Sequence, residues 1–274
     1  MNSWWSVNPG PKRLLVPTIK EKILTFSNLF TQKKYVLIIR IILNYILILF
    51  HKIGFRDIFF LPHLLLIHFN LVKLKLDNNT ISKNINFGPE SNEFFTNKLL
   101  SSKLYLEYGS GSSTLLADKN NINYYSIESD KKFHEILKKS LKNTKNYLLK
   151  DFGFVGSGSA PVLFFYTKYF YKKKAQAYAS DVLNYLNEQN LTPDLFLVDG
   201  RYRILCALYI YKFLKEKNYS WTLIIDDYAT RTHYMQVLEK CFEGKLVGRQ
   251  KVFTKLKECN NIDELIKIYS YDYR

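Results

Sequence analysis

Cysteine is scarce in this chain: Cys206, Cys241 and Cys259 are the only three. They are odd in number and far apart, so no disulfide framework and no CxxC metal pair is expected, and a reducing compartment fits. Cys206 sits inside an apolar helical run and reads as core. Apolar runs of full membrane-spanning length are missing as well. The longest, Tyr35 to Phe50, would reach about 24 Å as a helix, short of a roughly 30 Å hydrocarbon core. Arg40 lies near its middle and counts against a simple span. The stretch MNSWWSVNPGPKR has no apolar h-region, so no secretory signal is expected. The chain shows no internal repeat.

Acidic residues are in the minority. Lys and Arg number 40 against 24 Asp and Glu, a formal net charge of +16. Residues 1–100 hold 13 of the cations and 5 of the acids. That density favours an anionic membrane face or a polyanion as partner of the N-terminal part. The alternative is plain compositional bias, because Lys, Asn, Ile, Phe and Tyr crowd the whole chain. A second apolar run, Ile58 to Val72, is interrupted by Pro62, His63, His68 and Asn70. Three readings of these runs stand: helices lying on a membrane surface, helices packed against the rest of the chain or a partner, and a span. Trp4 and Trp5 suit a membrane interface or ordinary packing. The polar stretch Asp77 to Asn86 marks a boundary, giving a basic, apolar helical extension over 1–85 and a second domain over 86–274.

The second domain is organised around LYLEYGSGSST, Leu104 to Thr114. Lys103 to Glu107 alternates as a strand does. Gly109, Ser110 and Gly111 permit a tight turn and close approach by a ligand. Ser112 to Thr114 then open a helix. A second strand, Asn123 to Ile127, ends at Glu128, an acid placed to accept both hydroxyls of a ribose. Strands are also expected over Tyr147–Lys150, Leu195–Val198 and Trp221–Ile225, with two more over Lys245–Gln250 and Val252–Leu256. Helices are expected over Lys131–Lys142, about Tyr202–Lys215, Arg231–Cys241 and Ile262–Tyr269. Alternation of strand and helix argues for a doubly wound, mostly parallel sheet with ligands along one rim. That rim should gather Gly109, Glu128, Asp151, Asp199 and Asp227.

A third glycine, which a dinucleotide fold places in G-x-G-x-x-G, is absent; Thr114 stands there. This makes a nicotinamide-dependent oxidoreductase a poor reading. FGFVGSGSAP, Phe152 to Pro161, lacks the lysine spacing of a P-loop and reads as a flexible loop on the substrate side. Aromatics before Lys172, Lys173 and Lys174 suit stacking on a base or sugar, or an ordinary amphipathic helix.

E-x-G-x-G followed by S-I-E resembles the first two motifs of class I S-adenosylmethionine-dependent methyltransferases. LFLVDGRYRILCAL and IIDDYATRTHY resemble the fourth- and fifth-strand segments of a little-characterised bacterial branch of that superfamily. The resemblance runs from about Phe87 onward. It implies a seven-stranded Rossmann-like sheet with a terminal antiparallel hairpin, and S-adenosylmethionine as cofactor. It implies cofactor contacts from Glu107, Tyr108, Gly109, Ser110, Gly111 and Glu128, with Asp151 toward the adenine. Asp199, Asp227 and His233 are the candidate catalytic groups; Arg201 and Arg231 are the candidate substrate-binding ones. Asp199 with Asp226 or Asp227 also resembles the acidic ligands of metal-dependent O-methyltransferases, although those usually carry Asp-Asn after the fifth strand. Mg²⁺ is therefore a secondary expectation, with Asp226 as a helix cap the alternative. No [DNS]-P-P-[YFW] segment is present, which weighs against amino-methylation of nucleic acid. Glu90 and Glu93 read as solvated helix carboxylates or substrate contacts. The expected function is O-methylation of a small-molecule or glycan hydroxyl, in the cytoplasm or on the inner face of a membrane held through residues 18–75. The alternative is a membrane-peripheral binding or scaffold protein that keeps the fold without catalysis.

Overall fold

The structure is a computed structural model that describes residues 82, 84–152 and 168–274, the backbone alone for 168–171. The expectations about the N-terminal extension and the glycine-rich loop beyond Phe152 lie outside the described residues. Among the described residues no helix is long and apolar enough to cross a membrane.

The chain enters through helix α1 (Pro89–Ser101), with Pro89 at its first position and Gly88 at φ 89° before it. Proline suits a first helical turn, where its missing N–H costs nothing. Strand β1 (Tyr105–Tyr108), helix α2 (Ser112–Lys119), strand β2 (Tyr124–Glu128), helix α3 (Lys131–Lys138) and strand β3 (Tyr147–Leu149) follow. Helix α4 (Lys168–Glu188) leads to strand β4 (Leu195–Val198), helix α5 (Arg203–Lys215) and strand β5 (Thr222–Ile225). Helix α6 (Tyr228–Met235) runs into a 3₁₀ turn (Gln236–Lys240), then strands β6 (Phe242–Val247) and β7 (Gln250–Leu256) and helix α7 (Ile262–Tyr269).

These strands form one seven-stranded sheet in the order β3-β2-β1-β4-β5-β7-β6. It is parallel except for β7, which runs antiparallel to both β5 and β6. Strands β1, β4 and β5 are buried along their whole length, as central parallel strands covered on both faces must be. Phe95, Leu99, Tyr105, Leu197, Ile224 and Val252 belong to the core that joins α1 to the sheet. Helix α5 is buried almost all round, which is why its sequence carries no clear polar face.

The expected doubly wound sheet with a terminal hairpin is what the chain forms. Strand ends shift by up to three residues from expectation, and the hairpin turn and two helices differ further. The hairpin turns at Gly248 and Arg249, with Gly248 at φ 56°, a region glycine enters without strain. The helix expected over Arg231–Cys241 starts earlier, bends at Arg231 (φ −124°) and tightens to 3₁₀ after Met235. Helix α3 stops at Lys138, short of Lys142. One correction is larger. Cys241 and Cys259 form a disulfide, with Cα atoms 5.1 Å apart. The antiparallel pairing of β6 with β7 brings the two ends of the hairpin together across eighteen residues of sequence. Spacing along the chain could not show this. Cys206 is buried and free, as expected.

Candidate functional site

Register decides what meets at the rim. Tyr108 on β1 aligns with Ile127 on β2 and Val198 on β4, and Val198 aligns with Ile225 on β5. The next residues, Gly109, Glu128, Asp199 and Asp226, therefore emerge side by side. They come from four segments spread over more than a hundred residues of sequence.

The glycine turn is built on backbone contact. Gly109 adopts φ 91°, and its N–H donates to Ile127 O at 2.9 Å. Tyr108 O accepts from both Asp199 N (2.9 Å) and Gly200 N (2.7 Å). A Cβ on Gly109 would collide with the backbone of Gly200, so neither site has room for a side chain. Gly111 differs: a Cβ there would meet nothing within 4 Å. The open space above the turn is thus at Gly111, at the start of α2.

Glu107 lies beneath this turn and is fully buried. Its carboxylate accepts from Tyr105 Oη (2.7 Å), Ser113 Oγ (2.7 Å) and Thr114 Oγ1. Thr114 Oγ1 accepts from Gly111 N–H at 3.0 Å. Glu107 therefore ties β1 to the first turn of α2. Burial pushes its carboxyl up, and the hydroxyl bonds partly offset that push. Tyr108 points its ring into the core and donates to Ala179 O at 2.7 Å.

Glu128 braces the turn from the other side. Oε2 accepts from Ser110 N (3.2 Å) and Ser110 Oγ (2.7 Å). Oε1 accepts from Ser129 N (2.7 Å) and Asp130 N (2.8 Å). The Ser129 hydroxyl adds a longer bond to Oε1 at 3.4 Å, so five donors face this carboxylate. The Ser110 hydroxyl, which also contacts Tyr147 Oη at 3.0 Å, can turn away and yield its place to a ribose hydroxyl. Asp151 is exposed just past β3, between Lys150, whose N–H bonds Glu128 O, and Phe152, whose N–H bonds Ser129 O. The structure brings it beside Glu128.

The second half of the rim is charged. Asp199, Asp226 and Asp227 offer carboxylate oxygens that all lie within 4.8 Å of one another. Arg203 Nη2 donates to Asp199 Oδ1 (3.1 Å) and Asp227 Oδ2 (3.2 Å), and also to Asp199 O (3.1 Å). Arg231 pairs with Asp227 at 2.9 Å. Arg249 forks onto the fully buried Asp226 through Nε (2.9 Å) and Nη2 (2.5 Å), and Gln250 Nε2 adds a bond at 3.2 Å. Three acids face three guanidinium groups. The guanidinium hydrogen bonds use Asp199 Oδ1, Asp227 Oδ2 and both oxygens of Asp226, so Asp199 Oδ2 and Asp227 Oδ1 are the oxygens that would hold a Mg²⁺ ion. Asp226 pairs with Arg249 rather than capping α6, whose N-cap position is Asp227.

Asp199 is the group with the altered chemistry. Burial first, then the neighbouring Asp226, push its carboxyl up to about 8, against the pull of Arg203. Its side chain remains about a third exposed, so water still reaches the carboxyl. Arg201, half-buried in the β4–α5 turn, has its pKa lowered by burial and by Arg203 and Arg231. His233 sits on α6 beside Tyr234, ring centroids 5.1 Å apart, and burial with Arg274 holds its pKa below the usual histidine value. Glu90 bonds the Gly248 amide at 3.0 Å and so braces the hairpin turn.

Arg203 and Arg249 were not among the sequence candidates. Arg203 carried a faint signal, lying four residues after Asp199 at a strand-to-helix turn. Arg249 carried none, because the hairpin alone delivers it to Asp226.

No family model and no curated protein matches the chain. Among solved structures, a methyltransferase-like protein from Silicibacter pomeroyi DSS-3 matches with a TM-score of 0.56 and 25% identity. The match covers 69% of this chain and 99% of that one. The described domain has a methyltransferase fold.

Proposed function

We propose that the chain is an S-adenosylmethionine-dependent methyltransferase that methylates a hydroxyl of a small molecule or glycan. The observation that carries this reading is the bond from Asp199 N–H to Tyr108 O at 2.9 Å. It sets a carboxyl titrating near 8 directly beside the open glycine turn.

The turn suits the cofactor in two respects. Space above Gly111 receives it, and Glu128 with Ser110 supplies an acceptor and a movable hydroxyl for a ribose diol. Asp151, exposed beside Glu128, is the candidate acceptor for the adenine amino group. The cofactor, when bound, supplies a sulfonium methyl group as the electrophile. The chain's own task is to hold a hydroxyl in line and take its proton. Asp199, once ionised, is the proton acceptor. Arg203 fixes its direction by holding Oδ1, and Asp227 holds Arg203 and Arg231 in turn. Arg201 in the β4–α5 turn and Arg231 on α6, paired with Asp227, suit polar or anionic groups of the acceptor.

A second reading, a binding or scaffold protein without catalysis, is favoured by one observation. The oxygens of Glu128 are filled by the chain itself. Calorimetric titration of the full chain with S-adenosylmethionine and, in parallel, NADH separates the two. Micromolar binding of S-adenosylmethionine alone supports the methyltransferase and calls for an acceptor screen with and without Mg²⁺. Binding of neither by folded protein supports the scaffold.

A further inference from the structure

A helix leaves its leading amides without partners inside the helix. In α5 the chain itself fills that place. Tyr202 N–H donates to Tyr273 O at 3.1 Å, and Arg203 N–H donates to Arg274 O at 3.0 Å. Tyr202 is held at φ 56°, and no side chain caps the helix.

The segment that supplies these carbonyls has no helix or strand of its own beyond α7. It is pinned instead by side chains. Ser270 is buried; its Oγ donates to Ile266 O (2.6 Å), and Gln176 Nε2 on α4 lies 3.3 Å from it. Lys172 sits over the Tyr271 ring at 5.2 Å. Arg274 forks onto Asp272 at 2.8 and 2.7 Å, with its guanidinium over the Tyr234 ring at 4.2 Å.

Arg203 joins this grip to the rim. Its amide is held by the segment, and its guanidinium spans Asp199 and Asp227. The side chain is 6% exposed, and its Nε and Nη1 have no hydrogen-bond partner among the described residues. A guanidinium buried with unsatisfied donors gains by reaching water, and a loosened first turn of α5 would open that way out.

We propose that residues 272–274 are a positioning segment of the rim, which holds the first turn of α5 so that Arg203 stays across Asp199 and Asp227. The proposal rests on the reading of Asp199 as proton acceptor. It adds that the acceptor side of the rim depends on residues seventy positions further along the chain.

Hydrogen exchange followed by NMR tests it, comparing the full chain with a variant lacking residues 272–274. The expected result is local: the Tyr202 and Arg203 amides and the Arg203 Nε–H exchange about tenfold faster or more, while the Gly109 amide keeps its rate. An unchanged Arg203 Nε–H rate overturns the proposal. So does a uniform acceleration, which would mark a purely structural role. A second variant, Arg274→Gln, keeps the backbone carbonyls. It removes the pins to Asp272 and Tyr234 and should speed exchange of the Arg203 amide by a smaller factor than the truncation does. An Arg203 amide as protected in this variant as in the full chain overturns the pinning of the segment. S-adenosylmethionine binding is measured on the same samples. Failure of the full chain to bind it removes the reaction, whereas the exchange result judges the positioning by itself.

Discussion

Gly109 and Gly200 meet backbone to backbone at the ends of adjacent strands, and Tyr108 O bonds the Gly200 amide at 2.7 Å. This contact couples the cofactor half of the rim to the half that carries Asp199. It also separates two glycines that look alike in sequence. Gly109→Ala places a methyl group against Gly200 at φ 91°, and should cost about 2–4 kcal/mol of stability in chemical denaturation. Gly111→Ala meets only open space and should change stability by less than about 1 kcal/mol. Its effect should fall on S-adenosylmethionine affinity, measured by calorimetry, because the methyl group occupies the ligand's room.

Glu128 is both brace and ligand acceptor. Glu128→Ala strips the Ser110, Ser129 and Asp130 amides of their acceptor and should cost about 2–3 kcal/mol of stability. Ser110→Ala removes only the movable hydroxyl. It should leave S-adenosylmethionine affinity within about threefold, whereas Glu128→Gln should lower it about tenfold or more. Equal affinity in all three proteins would remove the ribose contact.

Asp199 makes stability and activity respond to pH in opposite senses. Its folded pKa, about 8, lies above its unfolded value. Between the usual aspartate range and about 8 the folded state therefore holds a proton that the unfolded state has lost. Stability should fall as pH rises through that window and level off above it. Asp199→Asn should flatten this slope in urea melts taken from pH 5 to pH 9. Methyl transfer, by contrast, requires the ionised form, so kcat should rise with pH to a plateau above about 8. A rate independent of pH would assign the proton to another group.

Asp226 is fully buried, and Arg249 supplies its countercharge through two bonds. Arg249→Met leaves that carboxylate with Gln250 alone and should cost about 3 kcal/mol or more. The double variant with Asp226→Asn should recover most of the loss, which a thermodynamic cycle would measure.

Much of the architecture was legible in the chain. Apolar runs of four or five residues, glycine turns after them and amphipathic helices between them specify local structure through steric and burial rules that act over a few residues. For that reason the parallel order of strand and helix, the turn at Gly109 and the acids at three strand ends could be read directly. What surrounds those acids could not. Glu107 looked like a ligand contact, yet register turns it beneath the loop, where Tyr105, Ser113 and Thr114 hold it. Arg203 and Arg249 reach the carboxylates only because a helix start and a hairpin tip arrive there in space. Cys241 and Cys259 join for the same reason. The local sequence determined which strands, turns and acids this protein has. The tertiary structure alone decided which charges meet, because a pairing distance between residues far apart in the chain is set by sheet order and register rather than by spacing in sequence.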